Sequence, residues 1–227
     1  MAKPSKALLE ELIERLGYDP RDLITPSKEP VTGYKLFRQK DEGLHPLFVD
    51  ADKAQKPGRL WLPAEAGELT DQGKVKSKIG PLAYRPGWHA GDLPIATHIG
   101  GKSKSGLKKP DYRPDDQVWA EISMPDMVDW QRIANDRAQI SKAGNPIART
   151  AHITDVVPRG GHYRYKTNSN MTGDWMIGGD MRINRVLEDA EVEEINKAAG
   201  VADLPRLGKL GGAAGAVGLG ALAESNS

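Results

Sequence analysis

The chain has 227 residues, with 32 Lys plus Arg against 31 Asp plus Glu, for a formal net charge of +1. It contains no cysteine, which excludes a disulfide scaffold, a thiolate metal cluster and a cysteine nucleophile. A hydrophobic fraction of 38% excludes a polytopic membrane protein, and no charged-then-apolar leader opens the chain, so an intracellular setting is expected.

The even balance hides patterning. Residues 72–110 hold eight basic side chains and only Asp92 on the acidic side, or +7, between flanks of −2 (residues 1–71) and −4 (residues 111–227). A basic centre of this kind can face a phosphate-bearing ligand or neutralise its own flanks.

In chain order, residues 5–16 predict an amphipathic helix: Leu8, Leu9, Leu12, Ile13 and Leu16 share a stripe that Ser5 can cap and Gly17 can close. A Pro- and charge-rich linker follows over 18–30. Val31 to Gln39 alternates as a strand, with Tyr34, Leu36 and Arg38 on one face and Lys35 and Phe37 on the other. Pro46 to Val49 is expected as its hairpin partner across the turn residues Lys40 to Gly43. Trp61 and Leu62 anchor the mixed stretch 50–73. Lys74 to Ile79 reads as a strand edge protected by lysines.

Residues 99–116 form a Gly/Ser/Lys/Pro stretch without periodicity, expected as a mobile loop. Val118 to Ser123 is a strand, and Asp126 or Asp129 caps a helix running to about Ile140. Strands at 151–157 and 162–166 flank a turn at Pro158 to Gly161. Trp175 to Val186 reads as one long strand, with a bulge or close backbone approach at Gly178-Gly179. A last helix starts at Asp189 and ends at Gly200. The 14 uncharged residues from Leu210 to Ala223 are too few to span a bilayer. Their Gly spacing suits either a low-complexity tail or a close helix–helix contact.

The expected fold class is α+β: a mostly antiparallel sheet with a few flanking helices, an N-terminal helix and a flexible Gly/Ala-rich tail. The expected organisation is 1–30 as helix and linker, 31–200 as the core domain and 201–227 as the tail. No internal repeat is present.

Two stretches carry candidate chemistry. The first is Tyr84 to Asp92, where Arg85 offers a fork for phosphate, Tyr84 and Trp88 offer stacking faces, and His89 is the side chain able to titrate near neutrality. The second is His162, Arg164 and Lys166, which share one face of a strand. Such a face is costly unless solvated or matched by an anion. No HExxH, zinc-finger, Walker or Rossmann spacing occurs, and no metal site is expected; His89, Asp92 and His98 make only a loose set.

Gly33 to Arg38, Pro46 to Val49 and Gly80 to His89, with Tyr163 to Asn168 and Ile183 to Leu187, resemble domains of large polyvalent proteins of phages and mobile elements, over about residues 31–200. That resemblance implies a phage or prophage origin, and a place in the host cytoplasm or the virion. Trp88-His89-Ala90-Gly91 also resembles, with one residue inserted, the histidine-type motif of ADP-ribosyltransferases. This second resemblance implies NAD as cofactor, with His89 binding the nicotinamide ribose, Arg85 binding phosphate, and Asp180 or Glu121 polarising the ribose.

The leading expectation is therefore an effector acting on a nucleotide or nucleic acid, with a host protein as a further candidate target. The alternatives are a virion-internal or ejected protein assembling through its terminal segments and tail, and a nuclease or nucleic-acid binder. The effector reading places His89, Arg85, Arg164 and Lys166 on one cleft.

Overall fold

The computed structural model describes residues 29–95, 116–136, 156–166 and 172–201. The expected helix at 5–16, most of the linker, the loop after residue 98, the end of the helix near Ile140, the strand residues 151–155 and the Gly/Ala tail lie outside the described residues.

The described chain is mostly antiparallel sheet with two helices. Strands β1 (Val31–Lys40), β2 (Gly43–His45), β3 (Leu62–Pro63), β4 (Trp88–Gly91) and β5 (Gln117–Met124) precede helix α1 (Trp130–Asp136). Strands β6 (His162–Tyr165), β7 (Trp175–Gly178) and β8 (Asp180–Val186) precede helix α2 (Asp189–Ala198). The eight strands run in the order β3-β8-β5-β1-β4-β7-β6, with β2 attached to β1. Every strand pair is antiparallel.

β1 is the longest strand because its residues alternate cleanly and both its edges are used. It pairs β5 over eight positions from Val31↔Met124 to Arg38↔Gln117. On the other side it meets β4 at one position only, Tyr34↔Gly91, before the two strands diverge. β7 and β8 are two halves of one stretch, broken at Gly179. β7 pairs β4 and β6, while β8 pairs β5 and β3. The ladder itself is open, but the chain joins β8 to β7 through Gly179, so the path β1, β5, β8, β7, β4 leads back to β1.

Inside that circuit lie Phe37, Leu44, Ala90, Ile122, Met124, Met176, Met181 and Ile183. Outside it, α1 places Trp130 and Ile133 over Val157, Tyr163, Tyr165 and Ile177. α2 places Val192 over Leu36, Trp119 and Leu187, with Tyr34 and Ile195 at the margin. The expected faces of β1 hold: Leu36 goes to the α2 layer and Phe37 to the interior. Asp129 Oδ1 accepts the Arg132 amide at 3.3 Å at the start of α1. Glu188 and Glu191 form a reciprocal capping box on α2.

Four local expectations are corrected. The hairpin partner of β1 is Gly43–His45, three residues before Pro46, because Gly43 takes φ 144° and lets the chain turn back at once. Lys74 to Ile79 is not a strand; Val75 makes single bridges to Leu69 and Leu82 within a loop. Val156 and Val157 lie outside any strand, and Val157 is a buried plug. Trp175 to Val186 is two strands, and the register shift sits between Glu121 and Ile122, opposite Asn184.

The expected close approach at Gly179 does occur. Its amide donates to the Gly161 carbonyl at 3.0 Å, and a Cβ there would overlap the Pro158 carbonyl. Among the described residues, no helix is long and apolar enough to cross a membrane.

Candidate anion-binding site

The divergence of β1 from β4 creates the most unusual electrostatic setting in the fold. Lys35 points to the inner face, as Phe37 does. Its Nζ lies 5.6 Å from the Phe37 ring and 5.6 Å from the Trp88 ring. It donates to the His89 carbonyl at 2.7 Å, on the side of β4 where the ladder to β1 has opened. Burial pushes the Lys35 amine down from its ordinary value of 10.5 to about 8, and no carboxylate among the described residues pairs with it.

Lys35 reaches only the main chain of His89: the His89 ring belongs to the other face of β4, level with Ile177 and Tyr163 of the α1 layer, and feels the Lys35 charge across the strand. Its Nε2 lies 2.9 Å from the Arg85 carbonyl, an acceptor, so Nε2 carries the proton and Nδ1 keeps a lone pair. Burial, opposed by the bond to that carbonyl and reinforced by the charges of Lys35 and Arg85, lowers the imidazole to about 4. The ring is therefore neutral at pH 7. Lys35 and His89 each keep part of their surface open while their titrating ends sit deep.

Arg85 extends the cluster toward the α1 layer. Burial raises the Tyr165 hydroxyl, and the charge and hydrogen bond of Arg85 act the other way, which places the guanidinium at that hydroxyl. Gly87 lets the turn before β4 close over β7: its φ is 139°, and a Cβ there would collide with Ile177. Trp88 is fixed by its Nε1–H, which donates to the Leu62 carbonyl at 2.8 Å. Tyr84 is half-buried next to Arg85 in the chain.

A pH dependence follows from His89. Its folded value lies below its unfolded one, so the unfolded chain binds the extra proton first as the pH falls. Stability then drops between pH 6.5 and about 4, by about 1–2 kcal/mol after allowance for partial solvent contact. His89→Gln keeps a donor for the Arg85 carbonyl and is expected to remove that part of the slope. Urea midpoints at pH 7 and 4.5 measure it; identical acid slopes in the two proteins would refute the assignment.

The expected convergence of His89 and Arg85 with Arg164 and Lys166 does not occur. Directly paired residues share a face. His89 is level with Ile177 and Tyr163, whereas Arg164 is level with Met176 and Ala90, and His162 with Gly178 and Trp88. The His89 and Arg164 sets therefore lie on opposite faces of the sheet, and the Lys35 side chain, packed on Trp88 and Phe37, enters from the face of the second set.

The second set is also matched internally. Arg164 Nη1 lies 3.7 Å from Asp92, Lys166 Nζ 3.8 Å from Asp174, and His162 Nδ1 3.8 Å from Asp126 and 3.1 Å from the Pro125 carbonyl. Burial pushes the Asp92 carboxyl up, against the bond it accepts from the Asp174 amide.

The two acids sit elsewhere again. Asp180 is buried, with Oδ1 accepting Arg159 Nε at 2.9 Å and Oδ2 accepting the Gly160 amide at 2.9 Å. It anchors the 158–161 turn. Glu121 accepts from Asn184 Nδ2 at 3.0 Å and Arg185 Nη2 at 3.3 Å. Neither contacts His89. Lys35 is the site residue that sequence reasoning missed. A lysine opposite the apolar Leu36 face, between Tyr34 and Phe37, was the available signal.

Compared with protein-family models, curated proteins and solved structures, the chain matches none.

Proposed function

We propose that this chain binds the phosphates of a nucleotide at the gap between β1 and β4, where the Lys35 amine arrives at the His89 main chain from the inner face and Arg85 and His89 line the α1 side, as an effector carried by a phage or mobile element, with NAD as the first ligand to test. The observation that supports it is Lys35, a desolvated ammonium without a carboxylate partner among the described residues. A phosphate oxygen would supply the missing counter-charge in a setting where water competes poorly. Arg85 offers a second cation, and the neutral His89 ring offers Nδ1 as an acceptor for a ribose hydroxyl.

Asp180 and Glu121 are engaged by Arg159 and Gly160 and by Asn184 and Arg185, so the reading is nucleotide binding first, with ADP-ribosyl transfer the activity to assay second. A nuclease or nucleic-acid role is less favoured, because the Arg164 and Lys166 face already has its own aspartates.

Thermal and urea unfolding with NAD, ATP and inorganic phosphate at low salt tests the proposal. A nucleotide at 100 times its dissociation constant is expected to add about 2.7 kcal/mol. No stabilisation by any nucleotide would overturn it.

A further inference from the structure

We propose that the outer face of β5 and β8 carries a second oxyanion site, independent of Lys35 and centred on the end-on edge of the Arg182 guanidinium. Arg182 lies level with Ser123 across the β5–β8 pair. Its Nε–H donates to Asn184 Oδ1 at 3.2 Å and its Nη2 to Ser123 Oγ at 3.3 Å. Those two donors form one edge of the planar fork. The other edge, shared by Nη1 and the second Nη2 hydrogen, points away from both acceptors by the geometry of the group.

The plane itself is fixed. Trp61 covers it, with Cζ 4.9 Å from the ring centroid. The 58–62 segment is held there by the Gly58 amide on the Ile183 carbonyl and by Leu62 paired to Met181. Ser123 is buried and also bonded to Asn184, and Asn184 is tied to Glu121.

The charge is what makes this a site rather than a strut. Every hydrogen-bond acceptor holding Arg182 is neutral. The nearby carboxylate, Glu121, is shared between Asn184 and Arg185, and Arg185 in turn bonds Glu191. A guanidinium whose rotamer is already locked loses little further entropy on meeting a ligand, and a carboxylate or phosphate presents two oxygens at the spacing of its remaining edge. Leu60, 79% exposed next to Trp61, offers an apolar rest for the body of such a ligand. The ligand class is a small molecule ending in a carboxylate or phosphate monoester on an apolar or aromatic body.

Phenyl phosphate and benzoate serve as probes, and the indole N–H signal of Trp61, assigned with Trp61→Phe, is the readout in a two-dimensional amide spectrum. The wild-type signal is expected to move saturably with at least one probe, and the stronger probe identifies the anion. Arg182→Gln is expected to weaken that titration at least tenfold. Arg182→Lys, which keeps the charge without the fork, should weaken it at least fivefold. Lys35→Met should leave it unchanged. A linear, unsaturated shift, or equal affinity in Arg182→Lys, would overturn the site. If Arg182→Gln does not fold, Arg182→Lys alone decides. Loss of the titration in Lys35→Met would also overturn it, by merging the two sites into one.

Discussion

Gly179→Ala is expected to destabilise the domain by about 3 kcal/mol or more, a magnitude reached when added atoms meet backbone that cannot move aside. A Cβ at this position would overlap the Pro158 carbonyl and lie 2.6 Å from the Val157 carbonyl oxygen. The obstructing atoms are held in place from several directions. The Gly179 amide donates to the Gly161 carbonyl at 3.0 Å, and the Gly161 amide to the Pro158 carbonyl at 3.1 Å. Asp180 holds the Gly160 amide and the Arg159 side chain. Shifting the turn to admit one methyl group would break bonds to a buried carboxylate. It would also disturb Val157, which packs among Trp130, Tyr163 and Ile177. Gly58→Ala is the control, since nothing lies within 4 Å of its added Cβ. Urea unfolding of both variants measures the difference; a loss below about 1 kcal/mol for Gly179→Ala would show that the turn yields.

Lys35→Met is expected to do two things at once: leave the fold at least as stable at pH 7, and weaken nucleotide binding at least tenfold. The displacement of its amine from 10.5 to about 8 corresponds to about 3 kcal/mol, or about 1–2 kcal/mol after allowance for partial solvent contact. The sign is fixed by proton counting. Between pH 8 and 10.5 the unfolded chain holds a proton that the folded chain has released, so stability rises with pH across that window. Below pH 8 both states are protonated, and the cost of burying the charge is present in full.

Methionine removes that cost and forfeits the bond to the His89 carbonyl, worth about 1 kcal/mol. The net gain at pH 7 is then up to about 1 kcal/mol. Urea midpoints at pH 7, 8.5 and 10 for wild type and variant isolate the contribution as a difference. A variant that loses more than about 2 kcal/mol, or that follows the same alkaline curve as the wild type, would contradict this account of Lys35. A variant of unchanged nucleotide affinity would remove Lys35 from the binding site while leaving its electrostatics standing.

The parts of the fold legible in the sequence were those decided locally. β1 and β5 alternate over enough residues to fix both their existence and their faces. The turn at Pro158 to Gly161 and the start of α2 announce themselves by residue type. What failed to show was long-range. Trp175 to Val186 has continuous strand character, and only the partners on either side reveal that Gly179 divides it.

The alternation of His162, Arg164 and Lys166 was readable, but Asp92, Asp126 and Asp174 come from three other segments, and no spacing rule could bring them there. Lys35 was counted as one more residue of an alternating strand. Its character depends on β1 and β4 touching at one position and then parting, which is a property of the assembled sheet. The Tyr84 to Asp92 cluster was singled out on composition, and its glycine at 87 does serve a close approach. The ring of its histidine bonds the Arg85 carbonyl, and its main-chain carbonyl accepts from a lysine fifty-four residues upstream, while the arginine and lysine downstream face the other way.

The chain link at Gly179 between two distant parts of the sheet also dictates a timetable. β1 and β4 leave the ribosome early, yet they share a single paired position, and neither β4 nor β5 gains its second neighbour until residues 175–186 have been synthesised. A nascent chain ending before that stretch would expose unpaired strand edges and an unsealed methionine-rich interior, a condition that invites sticking to other chains. The domain is therefore expected to commit to its native form only once residues 175–186 have emerged, and to do so slowly, because the β4–β7 and β5–β8 pairings that seal it join segments far apart in the sequence.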